Sequence, residues 1–202
     1  MAFDVSLKRI CFFCFYDKEG IVDDYILFYL KALKRLKIEL IIVCNGLLKQ
    51  NGKTDLEKFA DCIIIRENQG FDAWAHKAAI EHIGWDQLEN YDEVLITNAT
   101  IMGPVTPLED MFDSMESRQL DFWGITKHLS FQKNPFNCKY GYTPEHLQSY
   151  FIVFRKNVVQ SIEFKNFWRE LSPLYTYNEA VGKYEMVLTK TLSDAGFTYD
   201  SF

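Results

Sequence analysis

Four short runs in this chain are apolar from end to end: residues 9–16 (RICFFCFY), 39–44 (ELIIVC), Cys62–Arg66 (CIIIR) and 93–97 (EVLIT). A strand that alternates apolar with polar residues shows one face to water, whereas one that is apolar throughout is covered on both. Between these runs lie segments with helical spacing. In residues 23–37, Tyr25, Phe28, Tyr29, Ala32, Leu33 and Leu36 fall on one broad face. Residues 55–60, Phe71–Ile83 and 107–115 read as further helices, with Asp72 near the start of the second. Strands alternating with helices in this way specify an α/β fold with a mostly parallel central sheet flanked by helices. Two more strands are expected at residues 122–126 and 149–155, an irregular stretch at 129–145, and a mainly helical C-terminal part over 157–171 and 178–195. A length of 202 residues fits one domain over 1–202 with a sizeable core. No repeat, low-complexity stretch or linker interrupts it.

In parallel sheets of this kind ligands bind beyond the carboxyl ends of the strands. The segments that matter therefore begin at Tyr16, Asn45, Arg66 and Asn98. After the first strand stands DKEG (residues 17–20), neither G-x-G-x-x-G nor a P-loop, which removes the main phosphate devices of dinucleotide oxidoreductases and P-loop NTPases. After the third comes RENQGFD (66–72). Arg66 could pair with phosphate, Gly70 could let backbone approach a ligand, and Asn68 or Asp72 could fix a base or ribose hydroxyl. Equally, Gly70 could simply make the turn and Asp72 cap the helix. After the fourth comes TNATIMGP (97–104). Many nucleotide-sugar transferases carry Asp-x-Asp here, whose carboxylates hold Mg²⁺ or Mn²⁺ against the leaving diphosphate. Asn98 and Thr100, around Ala99, offer neutral oxygens instead, poorer ligands for a hard cation, so the metal ligands of a Mg²⁺ or Mn²⁺ cofactor are unassigned.

Glu185, beside Tyr184, Val187 and Leu188 in the last helix, could serve as a general base or be a solvated helix residue. His128 and His146 bracket the irregular stretch and could line an acceptor site, while His76 and His82 read as helix-surface residues. Cys11 and Cys14 have CxxC spacing, but three residues apart on a strand point to opposite faces. The five cysteines therefore read as buried free thiols, which suit the cytosol.

Lys plus Arg number 22 and Asp plus Glu 28, a formal net charge of −6 that speaks against a nucleic-acid surface. The N-terminus lacks the order of a signal peptide. No apolar run approaches the ~18 residues that span a bilayer, so work at a membrane would be peripheral.

Read together, the segments resemble the rhamnan synthesis protein F family. The matching stretches are Tyr16 with Asp17, VCNG (43–46), RENQGFD (66–72), YDEVLITN (91–98), Gly103 with Pro104, DFWGIT (121–126), HLQSYF (146–151), Phe164 and Trp168, and Tyr184 with Glu185, Thr189, Gly196 and Phe197. They run in order across nearly the whole chain. The resemblance implies a GT-A-like fold and transfer of a deoxyhexose, rhamnose from dTDP-L-rhamnose, to a growing surface polysaccharide. It implies a cytoplasmic enzyme at the inner face of a bacterial membrane, a lipid-linked glycan as acceptor, and inversion at the anomeric carbon. It implies donor-site roles for Asn45, Asn68, Gly70 and Asp72, beside which Tyr16 and Arg66 stand as donor-site candidates from their strand-end positions; Asn98 and Thr100 become diphosphate-side residues, His146, Gln148 and Ser149 acceptor-side residues with His128 as the candidate read from the loop, and Glu185 the base. The family pattern has Asp where this chain has Ala99, Gly where it has Trp74, and Tyr or Trp where it has His76. Loss of the Asp opens an alternative: a non-catalytic, glycosyltransferase-like module that binds glycan or a partner. The stop at Phe202 suggests a short member or a piece of a longer protein.

Overall fold

A computed structural model describes residues 3–202. Its centre is a seven-stranded sheet built from β1 (Arg9–Phe15), β2 (Glu39–Asn45), β3 (Cys62–Arg66), β4 (Glu93–Asn98), β5 (Phe122–Gly124), β8 (Phe151–Arg155) and β9 (Tyr199–Ser201). The strand order is β3-β2-β1-β4-β8-β5-β9. β3, β2, β1 and β4 pair in parallel, as do β5 and β9, while β8 runs antiparallel to both β4 and β5. Two short strands, β6 (Lys127–His128) and β7 (His146–Leu147), form a separate antiparallel pair.

Every residue of β1 is buried, as a central strand covered on both faces requires. Strand alternation divides its side chains between two cores. Ile10, Phe12 and Cys14 join the core beneath α3 (Phe71–Ile83), α7 (Ile162–Glu170) and α9 (Met186–Asp194). Cys11, Phe13 and Phe15 join the one beneath α1 (Asp24–Arg35) and α5 (Leu108–Glu116). The CxxC thiols thus sit on opposite faces, and all five cysteines are free, but Cys62, on the edge strand β3, is half-buried rather than buried.

Four expectations need correction. The buried face of α1 is Ile26, Tyr29, Leu30 and Leu33, and Phe28 is exposed. The helix expected at 55–60 is α2 (Gln50–Leu56), placed where Gly52 packs on Val22 and Leu56 fills the core. The helix expected at 157–171 is two pieces, α6 (Lys156–Val159) and α7, separated where Ser161 Oγ accepts from Phe164 N–H as an N-cap. The C-terminal helix is not one regular rod. It begins as α8 (Tyr177–Ala180), capped by Thr176 and Glu179, widens into a π turn at Val181–Glu185, and resumes as α9. A short helix, α4 (Trp85–Leu88), and the edge strand β9 were not anticipated.

The order β3-β2-β1-β4 reverses direction of travel between β1 and β4. Crossovers leave to opposite sides there, and a crevice must open beyond the carboxyl ends of the two strands. Because β8 is antiparallel, with Phe151 opposite Thr97, it is the start of β8 that comes to this edge.

Candidate active site

A cleft of about 800 Å³ lies at that reversal. Its floor is Cys14 and Tyr16 from the end of β1, Asn45 from β2, Asn98 to Thr100 from β4, and Ser149 and Tyr150 leading into β8. One wall is the β3–α3 loop and first turn of α3, residues 68–72 with Trp74; the other is Pro173 to Tyr177 together with Ala180, Val181, Tyr184 and Glu185.

The first wall is shaped by two residues in the left-handed region, Gly70 (φ +70°) and Phe71 (φ +57°), which turn the chain sharply into α3. A Cβ on Gly70 would lie 2.3 Å from Trp74 Cγ, so glycine is demanded both by the backbone and by the neighbouring indole. Gly70, not Asp72, is the helix N-cap. Asp72 instead reaches across the cleft floor: its Oδ2 accepts from Asn98 Nδ2 at 2.9 Å and its Oδ1 from Ala73 N–H at 2.9 Å. Asn98 Oδ1 in turn accepts from Thr100 N–H (3.1 Å) and Thr100 Oγ (2.6 Å), closing a tight turn at the end of β4. Asn45 Nδ2 donates to Phe71 O at 2.9 Å. Arg66 does not line the cleft. Its guanidinium donates to Asn45 Oδ1 (2.7 Å) and Gln69 O (2.9 Å) and so holds the wall from behind; burial lowers its pKa.

The second wall rests on a buried polar chain. His76 is fully buried, which corrects the expectation of a surface residue. Its Nε2 lies 3.1 Å from Thr97 O, an acceptor only, so Nε2 carries the proton. Nδ1 then accepts from Tyr184 Oη at 3.2 Å. Burial lowers the His76 pKa and raises that of Tyr184, so both stay neutral. Thr97 is further fixed by its hydroxyl, which donates to Tyr150 O (2.8 Å) and accepts from Tyr29 Oη (2.8 Å). His82 is the exposed histidine of α3, as expected.

Tyr184 and Glu185 both belong to the π turn, whose extra residue per turn directs two successive side chains at the cleft. The turn can form beside the irregular stretch because residue 182 is glycine: a Cβ there would sit 2.0 Å from Phe136 O. Glu185 Oε2 accepts from Ser149 N–H (3.0 Å) and Ser149 Oγ (2.8 Å), leaving Oε1 facing His146 Nε2 at 3.8 Å. His146 is buried behind the carboxylate and outside the cleft lining. His128 stacks on it with centroids 5.3 Å apart and planes at 10°. Gln148 turns away, accepting from Thr126 Oγ at 2.7 Å. Of the proposed site residues, Tyr16, Asn45, Asn68, Gly70, Asp72, Asn98, Thr100, Ser149 and Glu185 line one cleft; Arg66, His128, His146 and Gln148 stand outside it.

The cleft's lining contains two carboxylates, Asp72 and Glu185, and no Lys, Arg or His. Among the described residues no three His, Cys, Asp or Glu side chains come together to hold a metal. At the end of β4 Asp72 is the one carboxylate, already bonded through both oxygens, and Asn98 and Thr100 bond each other. A Mg²⁺ or Mn²⁺ ion here would have Asp72 as its one charged protein ligand and would need the oxygens of a bound diphosphate to complete its shell. No helix among the described residues is long and apolar enough to cross a membrane. Sequence reasoning missed His76, Tyr184 as its partner, and the wall from Pro173 to Tyr177. Helical spacing held a signal for the first, since Ala73, His76 and Ile80 fall on one face.

The family model described as rhamnan synthesis protein F matches residues 40–202. An uncharacterized protein, y4gN, of Sinorhizobium fredii is 23% identical over 188 residues, covering 92% of this chain and 46% of its own length. The chain thus spans about half of that curated relative. A solved structure of 4-diphosphocytidyl-2C-methyl-D-erythritol synthase superposes with a TM-score of 0.54 at 10% identity, over 96% of this chain and 89% of that one. The structure of S. aureus TarS gives 0.52 at 14% identity, over 97% and 37%. At these identities the likeness is one of fold, and that fold is GT-A-like.

Proposed function

The chain belongs to the rhamnan synthesis protein F family, and from that premise we propose that it transfers rhamnose from dTDP-L-rhamnose to a growing cell-wall or surface polysaccharide. The donor lies across the strand ends, with its nucleoside between Tyr16, Asn45, Asn68 and Asp72 and its diphosphate at Asn98, Thr100 and the start of α3. The positive end of that 13-residue helix meets the negative charge through the N–H groups of its first turn other than that of Ala73, which Asp72 takes. Arg66 acts on the donor through Asn45 and the Gln69 carbonyl. A hydroxyl of the acceptor glycan enters between Ser149 and Glu185, gives its proton to Glu185, and attacks the anomeric carbon from the face opposite the diphosphate, with inversion. The acceptor is a lipid-linked glycan, and the protein works as one domain at the cytoplasmic face of a bacterial membrane; the five free thiols suit that compartment.

The observation that carries this reading is Glu185. Its Oε2 is pinned by both donors of Ser149, and it stands in the same cleft as the Asp72–Asn98–Thr100 network. A carboxylate held by one oxygen and free at the other is suited to take a proton. In the test, Glu185→Gln should bind donor with unchanged affinity and lose turnover by about a hundredfold or more. Unchanged turnover removes Glu185 as the base.

Ala99 and the lack of a basic side chain in the cleft favour a second reading, a non-catalytic glycan- or partner-binding module. If the wild type is inert and Ala99→Asp gains metal-dependent transfer, this second reading stands; turnover by the wild type removes it.

A further inference from the structure

Glu185 has a partner that the transfer reaction does not by itself require. His146 is 2% exposed, and its Nδ1 lies 2.8 Å from Pro144 O. A carbonyl only accepts, so Nδ1 carries the ring proton, and in the neutral ring Nε2 is a bare lone pair. That lone pair faces Glu185 Oε1 at 3.8 Å, the oxygen that Ser149 leaves free. Two lone pairs turned toward each other repel unless a proton comes between them. The pair is thus built to receive one and to close to hydrogen-bond distance when it does.

We infer that His146 is the positioning partner of Glu185 and the second station for the proton taken from the acceptor hydroxyl. This rests on the reading of Glu185 as base. As the acceptor oxygen bonds to the anomeric carbon, the bond to the diphosphate breaks and its electron pair leaves with the diphosphate oxygen. The hydroxyl proton goes to Glu185 Oε1 and then to His146 Nε2. Carboxylate and imidazolium remain as an ion pair until the proton returns to solvent as product leaves. Burial lowers the His146 pKa, so the ring is neutral and ready to accept at the start of a cycle. The groups that bear on the pair are His128 of β6, stacked on the ring; Tyr184 of the π turn, neutral and bonded to His76; and Asp72 of α3, whose charge acts on Tyr184. Thr189 of α9 fixes β7 from the other side by accepting from Leu147 N–H at 3.1 Å.

Two measurements test this on the full chain. The first is a ¹⁵N NMR pH titration of the His146 ring in the wild type and in Glu185→Gln. Loss of the facing carboxylate should lower the His146 pKa by about one unit, and identical titrations overturn the pairing whether or not the protein turns over. The second is the pH profile of His146→Gln, which keeps a polar side chain but cannot take the proton. It should lower kcat about tenfold, hold donor Kd within about twofold, and displace the acidic limb of kcat. Unchanged kcat and limb overturn the relay. If Glu185→Gln is dead and His146→Gln is normal, only the relay fails; if Glu185→Gln is active, the base assignment fails with it.

Discussion

Gly182→Ala sets two opposed effects against each other at the π turn that carries Tyr184 and Glu185. In a helix interior, alanine is favoured over glycine by about 1 kcal/mol, and Gly182 has no positive φ that would penalise a side chain. Propensity alone therefore predicts a more stable protein. The structure predicts the reverse. The new Cβ would lie 2.0 Å from Phe136 O, while real Cβ atoms stay beyond 3.0 Å, so one backbone must retreat by roughly 1 Å. The obstacle is a carbonyl in the main chain, which cannot swing aside as a side chain can. Its retreat loosens the small core in which Cys138 packs with Val181, Met186 and Val187 and with Phe136 and Tyr140 alongside. Overpacking of this kind costs about 3 kcal/mol at its upper end, for a net loss of about 2 kcal/mol. For a chain of this size that is a fall in Tm of roughly 4–8 °C. Thermal unfolding followed by circular dichroism, with urea unfolding alongside, reads it directly. An unchanged or raised Tm would refute the claim that residues 129–145 are clamped on the π turn through a glycine contact.

Two further outcomes follow from the buried network behind the cleft. His76 and His146 both have folded-state pKa values lowered from 6.5 by burial. Below pH 6.5 the unfolded chain therefore takes up protons that the folded chain refuses. Each histidine then removes up to about 1.4 kcal/mol of stability per pH unit as pH falls from 6.5 toward its folded value. His76→Gln should be less stable at pH 7.5 by about 1–3 kcal/mol yet lose less on acidification; urea unfolding at pH 7.5 and 5.5 checks this, and parallel losses contradict it. Arg66→Ala should weaken donor binding about tenfold by releasing Asn45 and the Gln69 carbonyl, since charged hydrogen bonds are worth about 1.5–3 kcal/mol; wild-type affinity in calorimetry removes that role.

Much of the sheet was legible because β1, β2 and β4 are apolar runs buried on both faces, whereas β3, equally apolar, is a half-exposed edge strand with Ile65 open to solvent, which its composition does not announce. What escaped was either short or non-local. β9 is three half-buried residues, Tyr199–Ser201, and exists because β5 offers it an edge. The π turn inserts one residue that 3.6-residue periodicity cannot register, yet it decides that Tyr184 and Glu185 both reach the cleft. His76 was misjudged as a surface residue. Apart from Ile80, the buried apolar positions of α3 are alanines, which mark its inner face only faintly, and the partners of His76, Tyr184 and Thr97, are 108 and 21 residues away. The segments after the four parallel strands each contribute residues to the cleft lining. Sequence spacing could not say that Arg66 would turn from the cleft to Asn45, or that Asp72 would bond Asn98 across 26 residues.

A donor site in this cleft has to bind a nucleotide-sugar, and calorimetric titration of the purified protein reads that binding without depending on turnover. The ligands are dTDP-L-rhamnose, UDP-sugars and GDP-sugars, each with and without Mn²⁺ or Mg²⁺. Saturable one-site binding of dTDP-L-rhamnose, weakened about tenfold in Arg66→Ala, is the predicted result. A folded protein that binds none of these donors under either condition would contradict the account.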